Sequence, residues 1–287
     1  MEILKNNSIF PKNVSLILGF FDGIHAGHLE VINNSPKNSE KVIVTFSESP
    51  AEYFNKKNSY IYTRANNYKL LELSGVNYIF EQEFPDIINL SADNYLEMLI
   101  EKFSPISITT GFNHTFGKNR VGNAEFLKNT KKSFKYFYTP ARIIDDKVVS
   151  SSNIKEFLKI GDLELASKFL TRNFSIESRV IKGQQLGRKL GFPTANLKYP
   201  ENIIKIPYGV YKVKVFDLPA VLNWGVKPTL DSKEELLEVH IPDFNNDLYG
   251  QNIEIEILAK IREEIKFENL ESLVEQIKKD IEICLKL

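Results

Sequence analysis

The chain has 287 residues, 43% of them hydrophobic and 26% charged, a size and composition that suit two folded domains without long disordered segments. Its 37 Lys and Arg balance 37 Asp and Glu, so no overall field draws it to nucleic acid or an anionic membrane, and any phosphate must be held locally. The single cysteine, Cys284, excludes an internal disulfide or thiolate cluster; a start without a basic-then-apolar leader, and no apolar run near ~18 residues, complete the expectation of a cytoplasmic protein with no membrane partner.

In chain order, SLIL (15–18), KVIVTF (41–46), NYIF (77–80) and ISITT (106–110) read as buried strands. Between them YKLLELSG and SADNYLEMLIEKF carry apolar residues at helical spacing. Such alternation predicts an α/β domain over residues 1–150, with a Rossmann-like parallel sheet covered on both faces and ligands at the carboxyl ends of its strands. NIKEFLKIGDLELASKFL reads as two short helices around Gly161–Asp162, a helical linker over 151–173. From 174 to 287 the pattern changes to alternating strands, SIESRVIKG, GVYKVKVF, PAVLNWG, LLEVHI and NIEIEIL, which predict a closed antiparallel β-barrel. The terminal LESLVEQIKKDIEICLKL places Leu270, Leu273, Val274, Ile277, Ile281 and Leu285 on one helical face, expected to pack on that barrel.

The sharpest local signal is GFFDGIHAGH, Gly19 to His28, between the first buried strand and a helical pattern. Gly19, Gly23 and Gly27 allow close backbone approach, and the helix N-terminus offers free N–H groups and partial positive charge to a triphosphate. His25 and His28 would stabilise charge growing on phosphate oxygens during an in-line displacement, with no covalent nucleophile. The competing zinc reading of two histidines at i, i+3 finds no third ligand at a known spacing.

In the second half RVIKGQQLGRKLGFPTANL (179–197) is punctuated by glycines but lacks Walker order. Gly183, Gly187 and Gly191 allow a loop to wrap phosphates, and Arg188 and Lys189 add charge. The Thr194 hydroxyl and Asn196 carbonyl are hard oxygen ligands suited to a Mg²⁺ ion bridging phosphates. LEVHIPDF adds Glu238 and His240 on one side of a strand, and a carboxylate there can accept the proton of an alcohol being phosphorylated.

These segments resemble the bacterial bifunctional riboflavin kinase/FAD synthetases. GFFDGIHAGH looks like their nucleotidyltransferase signature, and GRKLGFPTANL with the Glu-x-His of LEVHI looks like their riboflavin kinase signature. VTFSESP, GFNHTFG (111–117) and VVSSSNIKEFL extend the likeness over nearly the whole chain. The resemblance implies two reactions using ATP and Mg²⁺: riboflavin to FMN in the second half, and FMN to FAD in the first. It implies nucleotide contacts at Gly19, Phe20, Asp22, Gly23, Gly27, Ser150, Ser151, Ser152 and Lys155 with His25 and His28. In the kinase half it implies Gly183, Gly187, Arg188, Gly191 and Pro193 around the phosphates, Thr194 and Asn196 on the metal, and Glu238 as base. It also implies flavin contacts at Asn113, Tyr249 and Arg262, with His240 in support and Trp224 either in the core or stacked on the flavin.

Departures from the family pattern are specific. Glu48-Ser49-Pro50 stands for a usual Pro-His-Pro, Lys155 for a usual Arg, Asn113 for a common Asp and His114 for a common aromatic. Lysine keeps the charge but lacks the planar fork that grips phosphate bidentately. A kinase with a weak or silent first half is therefore an alternative. A flavin-sensing regulator is another, although no basic recognition helix supports it.

Overall fold

The computed structural model describes residues 1–54, 58–131, 133–183, 187, 190–228 and 233–286. Two compact units result, one of residues 1–60 and 64–153, the other of 61–63 and 154–287.

The first unit is built on six parallel strands, β1 (Glu2–Leu4), β2 (Ser15–Leu18), β3 (Lys41–Phe46), β4 (Tyr78–Gln82), β5 (Ser107–Gly111) and β6 (Lys135–Thr139), in the order β1-β4-β3-β2-β5-β6. Alternate residues of the strands face opposite sides. Leu16, Leu18, Val42, Val44 and Phe80 pack with Leu96, Leu99 and Phe103. Ile17, Ile43 and Ile79 pack with Val31, Ile32 and Leu71 on the other side. The helices supplying these residues are α5 (Ala92–Phe103) on the first face, and α1 (Ala26–Asn34) and α3 (Arg64–Leu73) on the second. Short helices α2 (Pro50–Tyr53), α4 (Phe84–Ile87) and α6 (Ala124–Asn129) complete the connections, with a small hairpin of β7 (Ile143–Ile144) and β8 (Lys147–Val148). The chain leaves β2 toward β3 but leaves β5 toward β6, so the direction of winding reverses between β2 and β5. Ligands of open parallel sheets bind in the crevice such a reversal opens at the carboxyl ends.

Both helices expected around Gly161–Asp162 form, as α7 (Ser151–Ile160) and α8 (Leu163–Leu170), and from Ile154 onward they belong to the second unit. The barrel closes in the order β10-β13-β12-β11-β14-β9, every pair antiparallel. Its strands are β9 (Phe174–Ile181), β10 (Ala195–Leu197), β11 (Gly209–Val215), β12 (Leu218–Pro228), β13 (Lys233–His240) and β14 (Asn252–Arg262). Phe174, Ile176, Val213, Leu222, Trp224, Leu237, Ile253 and Ile255 are buried and fill the interior. Trp224 is wholly core: its indole N–H donates to the Ile206 carbonyl, 3.0 Å away, and Tyr199 and Tyr208 flank the ring.

The terminal helix, α9 (Leu270–Leu285), lies against β11 and β12. Its expected apolar face requires correction at both ends. Leu270 and Leu285 are exposed, whereas Asp280 and Cys284 are buried. Asp280 is held there by a cation on the barrel, a partner that apolar periodicity cannot register.

Candidate active sites

Between β2 and α1 the chain makes a buried turn. Phe21, Asp22, Ile24 and His25 are all almost fully enclosed, and Phe21, Gly23 and Ile24 have positive φ angles of 56°, 92° and 38°. Left-handed backbone is cheap for Gly23 and unfavourable for a bulky or β-branched residue, a form of strain that concentrates at functional sites. Hydrogen bonds to neighbouring elements hold the turn. The Ser151 hydroxyl donates to the Asp22 carbonyl at 2.7 Å, the Gly23 N–H to Asn67 Oδ1 at 2.9 Å, the Thr45 hydroxyl to the Phe20 carbonyl at 3.3 Å, and the Gly19 N–H to the Val44 carbonyl at 3.2 Å.

His25 caps α1: its Nδ1 accepts the His28 N–H at 3.2 Å, and the two imidazoles stack with centroids 3.6 Å apart. The helix N-terminus is thus less open than its sequence suggests, since one N–H is already taken. With Nδ1 an acceptor, the proton of a neutral His25 ring resides on Nε2. Gly27 lies against this ring, where an added Cβ would stand 3.3 Å from it and 3.6 Å from the Val149 carbonyl. The first turn of α7 follows, with Ser150 Oγ accepting the Asn153 N–H at 3.2 Å and Ser152 exposed. Two helix N-termini therefore meet beside His25, an arrangement that favours an anion. Lys155, one turn along, is half-buried and falls in the second unit.

The barrel carries a cavity of about 540 Å³ on its outer face, between the wall formed by β10, β12 and β13 and a roof that includes Leu273, Ile277 and Ile281 of α9. Register aligns Asn196 of β10 with Glu238 of β13, and Glu238 with Asn223 of β12. Directly opposed residues in antiparallel strands project from the same face. Thr194, Asn196, Glu238, His240, Gly183 and Gly187 all line the cavity. A Cβ on Gly183 would fall 2.3–2.5 Å from the Asn196 carboxamide, so the loop can approach this side chain only as glycine. A Cβ on Gly187 would meet the Phe192 carbonyl at 2.4 Å and Thr194 at 3.3–3.4 Å, and the Gly187 carbonyl accepts the Leu190 and Phe192 N–H groups. Gly191 is exposed with φ 89°, and the Pro193 carbonyl lies 2.8 Å from His240 Nδ1, which ties the Pro-Thr-Ala-Asn element to β13.

The riboflavin kinase family model matches residues 170–287 and the FAD synthetase model residues 8–153. A curated bifunctional riboflavin kinase/FMN adenylyltransferase of Buchnera aphidicola subsp. Schizaphis graminum is 37% identical over 96% of this chain and 94% of its own. The chain belongs to the bifunctional riboflavin kinase/FMN adenylyltransferase family. The enzyme of that name from Haemophilus influenzae is 33% identical over 97% of this chain and 96% of its own, and that from Bacillus subtilis 31% over 92% and 89%. Among solved structures, a macrolide-efflux protein from Streptococcus pneumoniae matches at TM-score 0.90 and 28% identity, covering 99% of both chains. As a family member the chain is a transferase with a kinase half and an adenylyltransferase half, and ATP is its co-substrate. No helix among the described residues is long and apolar enough to cross a membrane.

Other residues expected in these sites fall less directly on them. Asn113 is exposed on the turn after β5, which approaches α1 where Gly111 meets Val31. Tyr249 is 41% exposed and does not line the barrel cavity. Arg262 does line it, but its guanidinium is committed to Asp280. Arg188 and Lys189 lie outside the described residues. Ser49 caps α2, accepting the Ala51 N–H at 3.3 Å, and its own N–H donates to the Tyr60 hydroxyl. Asn67, Thr45 and Asp280 were not singled out, and none has a local spacing signature; Asn223 and Glu264 fall in NWGVKPT (223–229) and IREEIKF (261–267), two segments that resemble the kinase half of the family.

Proposed function

We propose that the chain makes FAD in two steps, residues 174–287 phosphorylating riboflavin to FMN and residues 1–150 joining AMP from a second ATP to FMN with release of pyrophosphate. The observation carrying this reading is the row of Asn196 and Glu238 beside Thr194, facing one cavity under a glycine loop. In the kinase step a flavin side-chain hydroxyl oxygen bonds to the γ-phosphorus as the bond to the β,γ-bridging oxygen breaks. ADP departs, and the hydroxyl proton passes to Glu238. His240 holds Pro193 and so fixes the spacing of Thr194 and Asn196 from the base.

The donors fit a Mg²⁺ ion shared with substrate. Thr194 and Asn196 are neutral hard oxygen ligands, and no group of three His, Cys, Asp or Glu among the described residues forms a metal cage. When bound there, the ion would neutralise phosphate charge; the protein's part is to present Thr194 and Asn196 and to exclude water beneath α9.

In the adenylyltransferase half, the FMN phosphate oxygen attacks the α-phosphorus of ATP and pyrophosphate leaves. His25 donates from Nε2, His28 stacks on it, and Gly19, Phe20, Asp22, Gly23 and Gly27 with Ser150, Ser151 and Ser152 face the phosphates. Asn113, Tyr249 and Arg262 stand as flavin-side residues, the last by shaping the kinase cavity wall. Use of ATP and a single buried thiol support a cytoplasmic setting.

The test is incubation of the purified chain with Mg²⁺-ATP and either riboflavin or FMN, resolving the flavins over time. FMN from riboflavin and FAD from supplied FMN are expected. FMN alone would leave the first unit without its assigned chemistry, and neither product from a folded sample would overturn the whole reading.

A further inference from the structure

Resting on the reading of the barrel cavity as the kinase site, we propose that Glu264 is a substrate-binding residue whose carboxylate accepts hydrogen bonds from the secondary hydroxyls of the flavin's ribityl chain. Alternation along β12 sends Leu222 and Trp224 into the barrel, both fully buried, and turns Val221, Asn223 and Gly225 to the cavity. Gly225 leaves a bare strip of backbone in that wall, and Glu264 reaches over it from just beyond β14, so that a Cβ added to Gly225 would overlap the carboxylate. Two other carboxylates that line the cavity are committed. Asp280 is bound by Arg262 and Gln276, and Glu235 accepts from Lys205 Nζ at 2.5 and 2.7 Å and from the Tyr208 hydroxyl at 3.0 Å. Glu264 makes no hydrogen bond or ion pair among the described residues, although it lines the cavity together with Leu236, Ile265, Phe267 and Leu273. A carboxylate beside apolar walls is stabilised by a donor, and here a ligand would have to bring it.

Register indicates which ligand group comes there. Val221 opposes His240, Asn223 opposes Glu238 and Gly225 opposes Leu236, so three successive rows cross the cavity wall. His240 meets the Pro193 carbonyl, next to Thr194 and its neighbour Gly187, which makes the first row the phosphate end. Glu238 stands in the second row and Glu264 lies over the third. Rows two residues apart along a strand are separated by ~6–7 Å. A flavin whose reacting primary hydroxyl meets Glu238 therefore runs its polyol chain away from the phosphates and across Gly225. The first donors it carries there are the secondary hydroxyls, whereas the imide N–H of the ring lies farther out, past this carboxylate. Two carboxylate oxygens can accept from two adjacent hydroxyls, and glycine at 225 leaves the space in which they meet.

Glu264→Ala, Glu264→Gln and Gly225→Ala in the full chain test this, with riboflavin as substrate and lumiflavin, the same ring without the polyol, as competitor. Glu264→Ala should raise the riboflavin KM by on the order of 10- to 100-fold, the scale of losing hydrogen bonds to a charged group, with kcat within about threefold and the lumiflavin inhibition constant unchanged. Glu264→Gln keeps the shape and one acceptor oxygen; it should show a smaller rise, and it carries the test if alanine disturbs the barrel. Gly225→Ala should push the carboxylate aside and raise the riboflavin KM likewise, and combining it with Glu264→Ala should add nothing to Glu264→Ala alone. FAD formation from supplied FMN should persist throughout. An unchanged riboflavin KM in Glu264→Ala overturns the proposal. So does an equal weakening of lumiflavin, which would make Glu264 a ring contact, or a loss of kcat at constant KM, which would place it at the chemistry. If the unaltered chain forms no FMN, the reading of the cavity fails first, which is a distinct result.

Discussion

Arg262 and Asp280 form a bidentate ion pair, Nε to Oδ1 at 3.0 Å and Nη2 to Oδ2 at 2.7 Å, with the carboxylate 3% and the guanidinium 18% exposed. Gln276 adds a third bond to Oδ1 at 2.8 Å. The pair pins α9 to the last barrel strand, and α9 roofs the barrel cavity proposed as the kinase site. Removing one partner leaves the other charged and buried, a change that costs ~3–5 kcal/mol, whereas replacing both by apolar residues is far milder. Asp280→Ala should therefore lower the barrel's melting temperature and abolish FMN formation. Arg262→Leu with Asp280→Leu should recover much of the melting temperature by calorimetry.

His25 caps α1 through Nδ1, and in the proposed site it would meet the nucleotide through Nε2, so the two duties can be separated. Asparagine is a strong N-cap residue, so His25→Asn should keep the helix while losing the imidazole. FAD formation from FMN should fall by ~10²–10³-fold, the scale of losing one preorganised donor, with riboflavin phosphorylation unchanged. His25→Ala should lose the cap as well and destabilise the first unit by a further ~0.5–2 kcal/mol in denaturant titration.

Gly183 presses on Asn196 closely enough that any β-carbon must displace the carboxamide. Gly183→Ala should reduce FMN formation more than tenfold and raise the Mg²⁺ concentration needed for half-maximal rate, because the displaced group is an oxygen ligand in the proposed site. Titration of activity against Mg²⁺ checks this; a lower rate at an unchanged Mg²⁺ requirement would take Asn196 off the metal.

Much of this architecture was legible in the sequence. Continuous apolar runs such as SLIL and KVIVTF can only be doubly covered strands, and the change to alternation after Phe174 marked the barrel. The strands β1, β6 and β10 escaped notice for physical reasons. EIL is three residues long, KYFYT is half-exposed at a sheet edge, and Ala195–Leu197 lies within a loop motif whose glycines and proline mask it. His25, His28, Thr194, Asn196 and Glu238 could be singled out because their motifs are local. Asp280 could not, since what matters for it is a helix-to-barrel ion pair with Arg262. His240 illustrates the boundary. Its place beside Glu238 follows from strand periodicity, while its bond to Pro193 is visible only once β10 and β13 are paired.

His114 offers a pH-dependent test of the first unit. Its Nε2 is sealed from solvent with no hydrogen-bond partner among the described residues, its ring lies 6.0 Å from that of Phe116, and burial lowers its pKa from 6.5 to about 4. A depressed folded-state value means that the unfolded chain binds more protons between pH 6.5 and 4, so stability is complete above pH 6.5 and declines as pH falls through that window. At pH 5.5 the loss should approach ~1 kcal/mol. His114→Phe removes both the titration and the unsatisfied nitrogen. The variant should melt higher than the parent at pH 7, and the difference should widen on acidification to pH 5. A gap that stays constant across this range would mean that His114 gains its proton as readily in the folded chain as in the unfolded one.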